Sequence, residues 1–154
     1  MSNPSKKRGT AGETAVVRYL RANGFPHTDR QPLRGNLDAG DLLVAPGLVA
    51  EVKNVAVAGR GQVPAAMLTR WMGECEAERR NAGAAHCPLI VKRAGTTDVG
   101  AWFAYLPAWG FVHLVGDASV SVPDPWAPLC TDVATMARLL RWAGYGEPLE
   151  EVSA

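Results

Sequence analysis

Cysteine is scarce and unpaired in this chain. Cys75, Cys87 and Cys130 are odd in number and form no C-x-x-C spacing. Neither a disulfide framework nor a zinc motif is indicated, and the thiols are expected to be reduced. No apolar run approaches the roughly 18 residues that a membrane-spanning helix needs. The basic residues of MSNPSKKRGT have no apolar stretch behind them, so no secretory leader is expected. Histidine is limited to His27, His86 and His113, too scattered to suggest a catalytic set. Gly59-Arg60-Gly61-Gln62 lacks the Gly-Lys-Ser/Thr ending of a phosphate-binding loop. Internal repeats, low-complexity segments and domain linkers are all missing.

The chain holds 47 % aliphatic and aromatic residues among 154, enough for a globular core in one domain spanning 1–154. Net charge is only +1, but it is unevenly distributed. Residues 1–34 carry Lys6, Lys7, Arg8, Arg18, Arg21, Arg30 and Arg34 against Glu13 and Asp29, a net of +5 that leaves −4 for the remainder. Such clustering suits a polyanionic partner, because basic side chains neutralise phosphates. The frequent Ala, Gly, Arg and Val match GC-rich codons. A bacterial cytoplasm, or a host cytoplasm for a phage-encoded chain, is the expected location.

Residues 1–8 read as a flexible basic arm. A helix is predicted over Thr10 to Ala22, ending at Asn23-Gly24, with Val16, Val17 and Leu20 as its apolar positions. An irregular strand is predicted within Phe25 to Gln31, then a loop from Arg34 to Gly40. Strands over Asp41 to Val44 and Leu48 to Lys53 flank the turn signal Pro46-Gly47. A glycine-containing connection, 55–63, leads to the strongest helix, Pro64 to Asn81. There Met67, Leu68, Trp71, Met72 and Cys75 recur at helical spacing, and Glu74, Glu76, Glu78, Arg79 and Arg80 read as the outer side. Pro88 to Lys92, Ala101 to Leu106 and Phe111 to Val115 read as strands. Pro123, Pro125 and Pro128 mark a loop, and Thr131 or Asp132 caps a last helix through Trp142.

Chemistry concentrates in the hairpin. Glu51 and Lys53 are two apart on a strand and share one face, while Leu48, Ala50 and Val52 share the other. A strict two-residue turn would pair Leu42 with Glu51 and turn Asp41 away. A bulge or one more turn residue would set Asp41 across from Glu51. The second register is expected, since charges on a half-buried hairpin are less costly when they share a ligand. Paired carboxylates repel in a partly dry site, and Mg²⁺ is the hard cation that suits them, with the Val52 carbonyl as a further oxygen. Glu13 falls at i, i+3, i+4, i+7 with Val16, Val17 and Leu20, which puts a third carboxylate on the inward side of the first helix.

Glu13 within Gly9-Thr10-Ala11-Gly12-Glu13, Asp41 after Gly40, and Glu51-Val52-Lys53 together resemble the PD-(D/E)xK nuclease superfamily. Within it, they are most similar to archaeal-type Holliday junction resolvases. Asp38 is a rival for the aspartate position, though Asp41 opens the apolar strand. Lys7 and Arg8 before the helix, Gly24-Phe25 after it, Arg30 before the loop, the helix after the motif and the strand ending at Lys92-Arg93 extend the similarity over roughly residues 6–95. The resemblance implies an α/β, restriction-endonuclease-like core with a mixed central β-sheet flanked by α-helices. It implies Mg²⁺-dependent cutting of four-way DNA junctions by a homodimer, with Mn²⁺ able to substitute. Glu13, Asp41, Glu51 and Val52 would hold the metal, Lys53 would orient the attacking water, and Lys6, Lys7, Arg8, Arg30 and Arg34 would follow the DNA backbone. Other nucleases of the superfamily, or a non-catalytic DNA-binding protein of the same fold, are the alternatives.

Overall fold

The computed structural model describes residues 3–32, 35–55, 63–117 and 119–150. Its first helix, α1, spans Pro4–Ala22 and so begins earlier than the basic-arm reading allows. Lys6, Lys7 and Arg8 are exposed helical residues. The reason is local: Pro4 occupies the first helical turn, where its missing N–H is harmless, and the Asn3 side chain accepts a hydrogen bond from the Ser5 amide. Strand β1 is only Asp29–Arg30, shorter than the expected Phe25–Gln31 segment. Strands β2, Leu42–Ala45, and β3, Leu48–Lys53, follow as an antiparallel hairpin. Helix α2, Ala65–Asn81, then crosses over to β4, Leu89–Val91, which runs parallel to β3.

The second half departs from its predicted elements in two places. After a short 3₁₀ turn at Val99–Ala101 come β5, Phe103–Pro107, and α3, Ala108–Val115, where a strand was expected over Phe111–Val115. That apolar run has no two-residue alternation, and a short run of this kind fits a buried helix as well as a strand. Ala108, Gly110 and Leu114 are its buried positions, and Gly116 closes it in the left-handed conformation. Strand β6, Pro128–Asp132, occupies what read as a proline-marked loop. It is an outer strand, so Pro128 needs to donate no ladder bond there. Asp132 rather than Thr131 caps α4, Val133–Trp142, by accepting from the Thr135 amide.

The six strands form one mixed sheet in the order β1-β2-β3-β4-β5-β6, antiparallel except for β3–β4. The architecture is therefore α/β, a mixed sheet flanked by helices. On one face, Val16, Val17 and Leu20 of α1 and Met136 and Leu140 of α4 pack on Leu42, Val44, Leu48, Ala50, Val52, Ile90 and Ala104. On the other, Trp71 and Cys75 of α2 pack with Val49, Leu89, Val91 and Tyr105. Each fully buried Leu or Val contributes about 1.5–3 kcal/mol through removal from water. Among the described residues, no helix is long and apolar enough to cross a membrane.

Two glycines set the geometry around β3. A Cβ built on Gly12 would lie 2.7 Å from the Asn54 Cβ, so only glycine lets α1 approach the end of β3 so closely. Gly40 has φ +94° and immediately precedes Asp41. A Cβ there would stand 3.3 Å from the Ala50 carbonyl oxygen, on a backbone that L side chains rarely adopt.

Gly12→Ala therefore overpacks the α1–β3 junction, at about 1–3 kcal/mol. Thermal unfolding should shift down by several degrees, since each kcal/mol corresponds to about 2–4 °C in a chain of this size. An unchanged midpoint would mean that α1 is not seated on Asn54.

Candidate active site

The hairpin register decides which side chains meet. Leu42 pairs with Ala50 and Leu43 with Val49, but Ala45 pairs with Leu48, leaving Val44 as an extra residue in a bulge. One step beyond the Leu42–Ala50 pair sets Asp41 opposite Glu51. The bulged register is thus the one adopted. Asp41 is held at both ends: its carbonyl accepts from the Gln31 amide at 2.8 Å, and its Oδ2 accepts from the Val52 amide at 2.9 Å. Strand alternation aims the N–H and C=O of one residue at the same neighbouring strand. The Val52 carbonyl therefore faces the side from which Asp41 approaches.

Parity holds as expected. Ala50 and Val52 belong to the core beneath α1 and α4. Glu51 and Lys53 lie on the opposite face, beneath α2. Glu51 is 6 % exposed. Lys53 Nζ donates to Glu51 Oε1 at 2.7 Å and to Glu74 Oε2 at 2.9 Å, and sits 5.8 Å from the centre of the Trp71 ring. Glu74 was expected on the outer side of α2, yet it turns back to this ammonium.

Glu78 is the larger correction. It too was expected outside, but it is 4 % exposed and its carboxyl touches that of Glu51. A signal existed: Trp71, Cys75 and Glu78 follow i, i+4, i+7, so the buried stripe of α2 runs directly into the glutamate. Beside it stand two buried thiols. One oxygen of Glu78 and the sulfurs of Cys75 and Cys87 all lie within 4.8 Å of one another. Cys75 and Cys87 share no sequence spacing that marks a motif, because one comes from a helix and the other from the chain leading into β4.

Burial is the main cause of the electrostatics. Together with the Glu51 charge, and against the Val52 hydrogen bond, it pushes the Asp41 carboxyl up to about 7. It pushes Glu51 up to about 7 as well; the Lys53 hydrogen bond opposes this and the charge of Glu78 reinforces it. Glu78 also rises to about 7, through burial and then the charge of Asp38. Glu51 stands between Asp41 and Glu78 and interacts with both, so the three acids titrate as a group rather than singly. Burial opposes the charge on Lys53, but the two hydrogen bonds that it donates to Glu51 and Glu74 hold the ammonium protonated.

Glu13 approaches from α1. Its Oε2 accepts from Arg30 Nε at 2.6 Å, and its charge adds to the pressure on Asp41. Lys6, Glu13, Arg30, Asp38 and Asp41 line one cleft of about 280 Å³. Asp38 caps the turn there by accepting from the Gly40 amide at 3.2 Å, and it is Asp41 that meets Glu51. A row of neighbouring charges thus runs from Glu13 through Asp41 and Glu51 to Lys53; Lys6 and Arg30 line the same cleft as Glu13 and Asp41, whereas Glu51 and Lys53 lie outside its lining. Lys7 and Arg8 are exposed on the same first helix, and Arg34 lies outside the described residues, as does most of the 55–63 connection. Compared with family models, curated proteins and solved structures, the chain matches none.

Asp41, Glu51 and Glu78 keep their protons to higher pH in the folded protein than in the unfolded chain. The folded state then binds more protons up to about 7, so stability is present at low pH and is lost as pH rises through that value. His86, whose imidazole burial pushes down to about 4 from 6.5, acts in the opposite sense, but only below 6.5. Three acids outweigh that one imidazole, so in EDTA the unfolding midpoint should fall between about pH 5 and 7 and level off above, and Glu78→Gln should flatten the slope. A midpoint that rises over this range would refute the buried acid group.

Proposed function

We propose that this chain is a Mg²⁺-dependent endodeoxyribonuclease of the PD-(D/E)xK kind, acting on four-way DNA junctions as a homodimer. The observation that carries the reading is the seating of Asp41 across from Glu51, with the Lys53 ammonium next along the same face. The donor set fits a hard divalent cation: carboxylate oxygens of Asp41 and Glu51, the Val52 carbonyl, and Glu13 close by for a metal-bound water. Mn²⁺ accepts the same donors. Crowded acids pushed up to about 7 support this as well, because a cation would offset the repulsion between them. When bound, such an ion supplies a water of lowered pKa and neutralises charge on the phosphoryl oxygens.

The protein's own groups divide the remaining work. Glu51 fixes Lys53 through its 2.7 Å hydrogen bond, so the ammonium is oriented before DNA arrives. With two N–H groups given to Glu51 and Glu74, the third is free to meet a phosphate oxygen or the attacking water. Val52 fixes Asp41, and Arg30 fixes Glu13. Lys6, Lys7 and Arg8 project from α1 toward solvent, and Arg30 keeps part of its guanidinium exposed. Arg34 completes the proposed set. Contacts of this kind follow phosphates and shape rather than base edges, as junction recognition requires. Trp142, 71 % exposed on α4, offers an apolar anchor for a second subunit. Three free cysteines accord with a reducing cytoplasm.

A labelled synthetic four-way junction, a plain duplex and a flap test this, each with Mg²⁺ and then with EDTA. Symmetric cuts near the crossover, lost in EDTA, are expected. Glu51→Ala and Lys53→Ala should each lower cleavage by about 10²–10³-fold or more, the scale for losing a charge-stabilising group, with junction binding near wild type. Equal cutting of plain duplex would assign the chain to another nuclease of this kind. Binding without cutting in Mg²⁺ or Mn²⁺ would leave a DNA-binding protein without the activity.

A further inference from the structure

Behind the acid group, α2 and the chain leading into β4 bring together a different set of donors. Cys75 and Glu78 are three residues apart on the buried stripe of α2, and Cys87 meets them from the segment before Leu89. All three are under 5 % exposed. Cys87 Sγ lies 3.9 Å from Glu78 Oε2, and the three donor atoms are within 4.8 Å of one another. A tetrahedral zinc centre, with Zn–S of about 2.3 Å and Zn–O of about 2.0–2.2 Å, needs donors about 3.6–3.8 Å apart. The observed set contracts onto such a centre by about an ångström or less.

Core packing accounts for the cysteines, which are commonly buried, but not for Glu78. Among the described residues, no Lys, Arg or His forms an ion pair with this carboxylate: Lys53 acts on it only at longer range, and the groups set against it are another acid and a weak thiol donor. A leucine would pack there at no electrostatic cost. A buried carboxylate aimed at two sulfurs is a partial coordination shell.

We propose that Cys75, Glu78 and Cys87 bind a thiophilic divalent cation of the Zn²⁺ class, with a fourth position left for water. Two sulfurs and one oxygen select against Mg²⁺, which prefers oxygen throughout. Access is provided by a cavity of about 380 Å³ between α2 and α3, lined by both cysteines along with Met72, His86, Trp109 and Trp126. Binding forms two metal–thiolate bonds and one metal–carboxylate bond, and sends the two thiol protons, and any carboxyl proton on Glu78, to solvent with no change of oxidation state. The site draws on Glu78 rather than on Asp41 or Lys53, so it stands or falls apart from the nuclease reading.

Co²⁺ titration of the metal-free, reduced chain tests it. A near-ultraviolet thiolate-to-cobalt band with tetrahedral visible bands, saturating at one ion per chain, is expected. Zn²⁺ should abolish the bands and excess Mg²⁺ should not. Cys75→Ser and Cys87→Ser should lose the thiolate band, and Glu78→Gln should weaken binding by about 10–100-fold or more, at least the loss seen when a supporting partner is removed. Asp41→Asn and Cys130→Ser should leave the spectrum unchanged. Should the serine variants fail to fold, peptide mapping after alkylation of wild type gives the same answer: Zn²⁺ should protect Cys75 and Cys87 but not Cys130. A folded wild type without the thiolate band, a band that survives both serine substitutions, or alkylation indifferent to Zn²⁺ would each overturn the proposal.

Discussion

Repulsion among carboxyl groups packed against one strand end is the constraint around which this molecule is arranged. Asp41, Glu51 and Glu78 meet in a largely dry space, and the ion pairs recorded there involve a single ammonium, Lys53. Hydrophobic burial on both sheet faces holds the acids together, and burial is also what raises their proton affinity. Local and global preferences conflict here more than elsewhere in the fold. Such conflicts persist in natural sequences chiefly where a ligand relieves them.

The backbone around β3 serves this crowding in several independent ways. The extra residue at Val44 shifts the hairpin register so that Asp41 faces Glu51. Gly40 supplies the positive φ that turns the chain into Asp41, and Gly12 lets α1 come close enough for Glu13 to affect it. The β3–α2–β4 crossover then lays α2 over the same face, so that Glu74 reaches Lys53 and Glu78 reaches Glu51. Parallel strands expose their carboxyl ends together, the end at which open α/β sheets commonly place their chemistry.

What was legible in the sequence follows from what is local. Strand parity puts Glu51 and Lys53 on one face because alternation is strict, and α2 is legible because its apolar residues repeat from Met67 to Cys75, over about two turns. The start of α1 was missed because the basic run outweighed the Asn3-Pro4 cap. α3 was read as a strand because a short apolar run carries no periodicity, and β6 as a loop because proline marks both loops and outer strands. Charge alone places Glu78 outside, although its position continues the stripe of Trp71 and Cys75. Cys75 and Cys87 meet only through the crossover, so their proximity has no counterpart in sequence spacing. The bulge was legible only as a consequence of where the charges would have to go.

Glu78 also joins two chemistries that would otherwise be separate. On one side its carboxyl touches Glu51, which belongs to a set of hard oxygen donors; on the other it faces two sulfurs. A carboxylate neutralised by a thiophilic cation no longer repels Glu51, so Glu51 ionises more readily and becomes a better ligand for a hard cation. The same ion adds positive charge a few ångströms away, which opposes a second cation. At short range the added charge and the removed repulsion are of similar size, because both follow the same inverse dependence on distance. Their balance turns on how far each ion's charge is neutralised by its own donors. Two thiolates and one carboxylate carry three negative charges against two positive, so a filled sulfur site is itself anionic. That single negative charge equals the charge of an ionised Glu78 beside two neutral thiols, so on charge alone the two positions would fill independently.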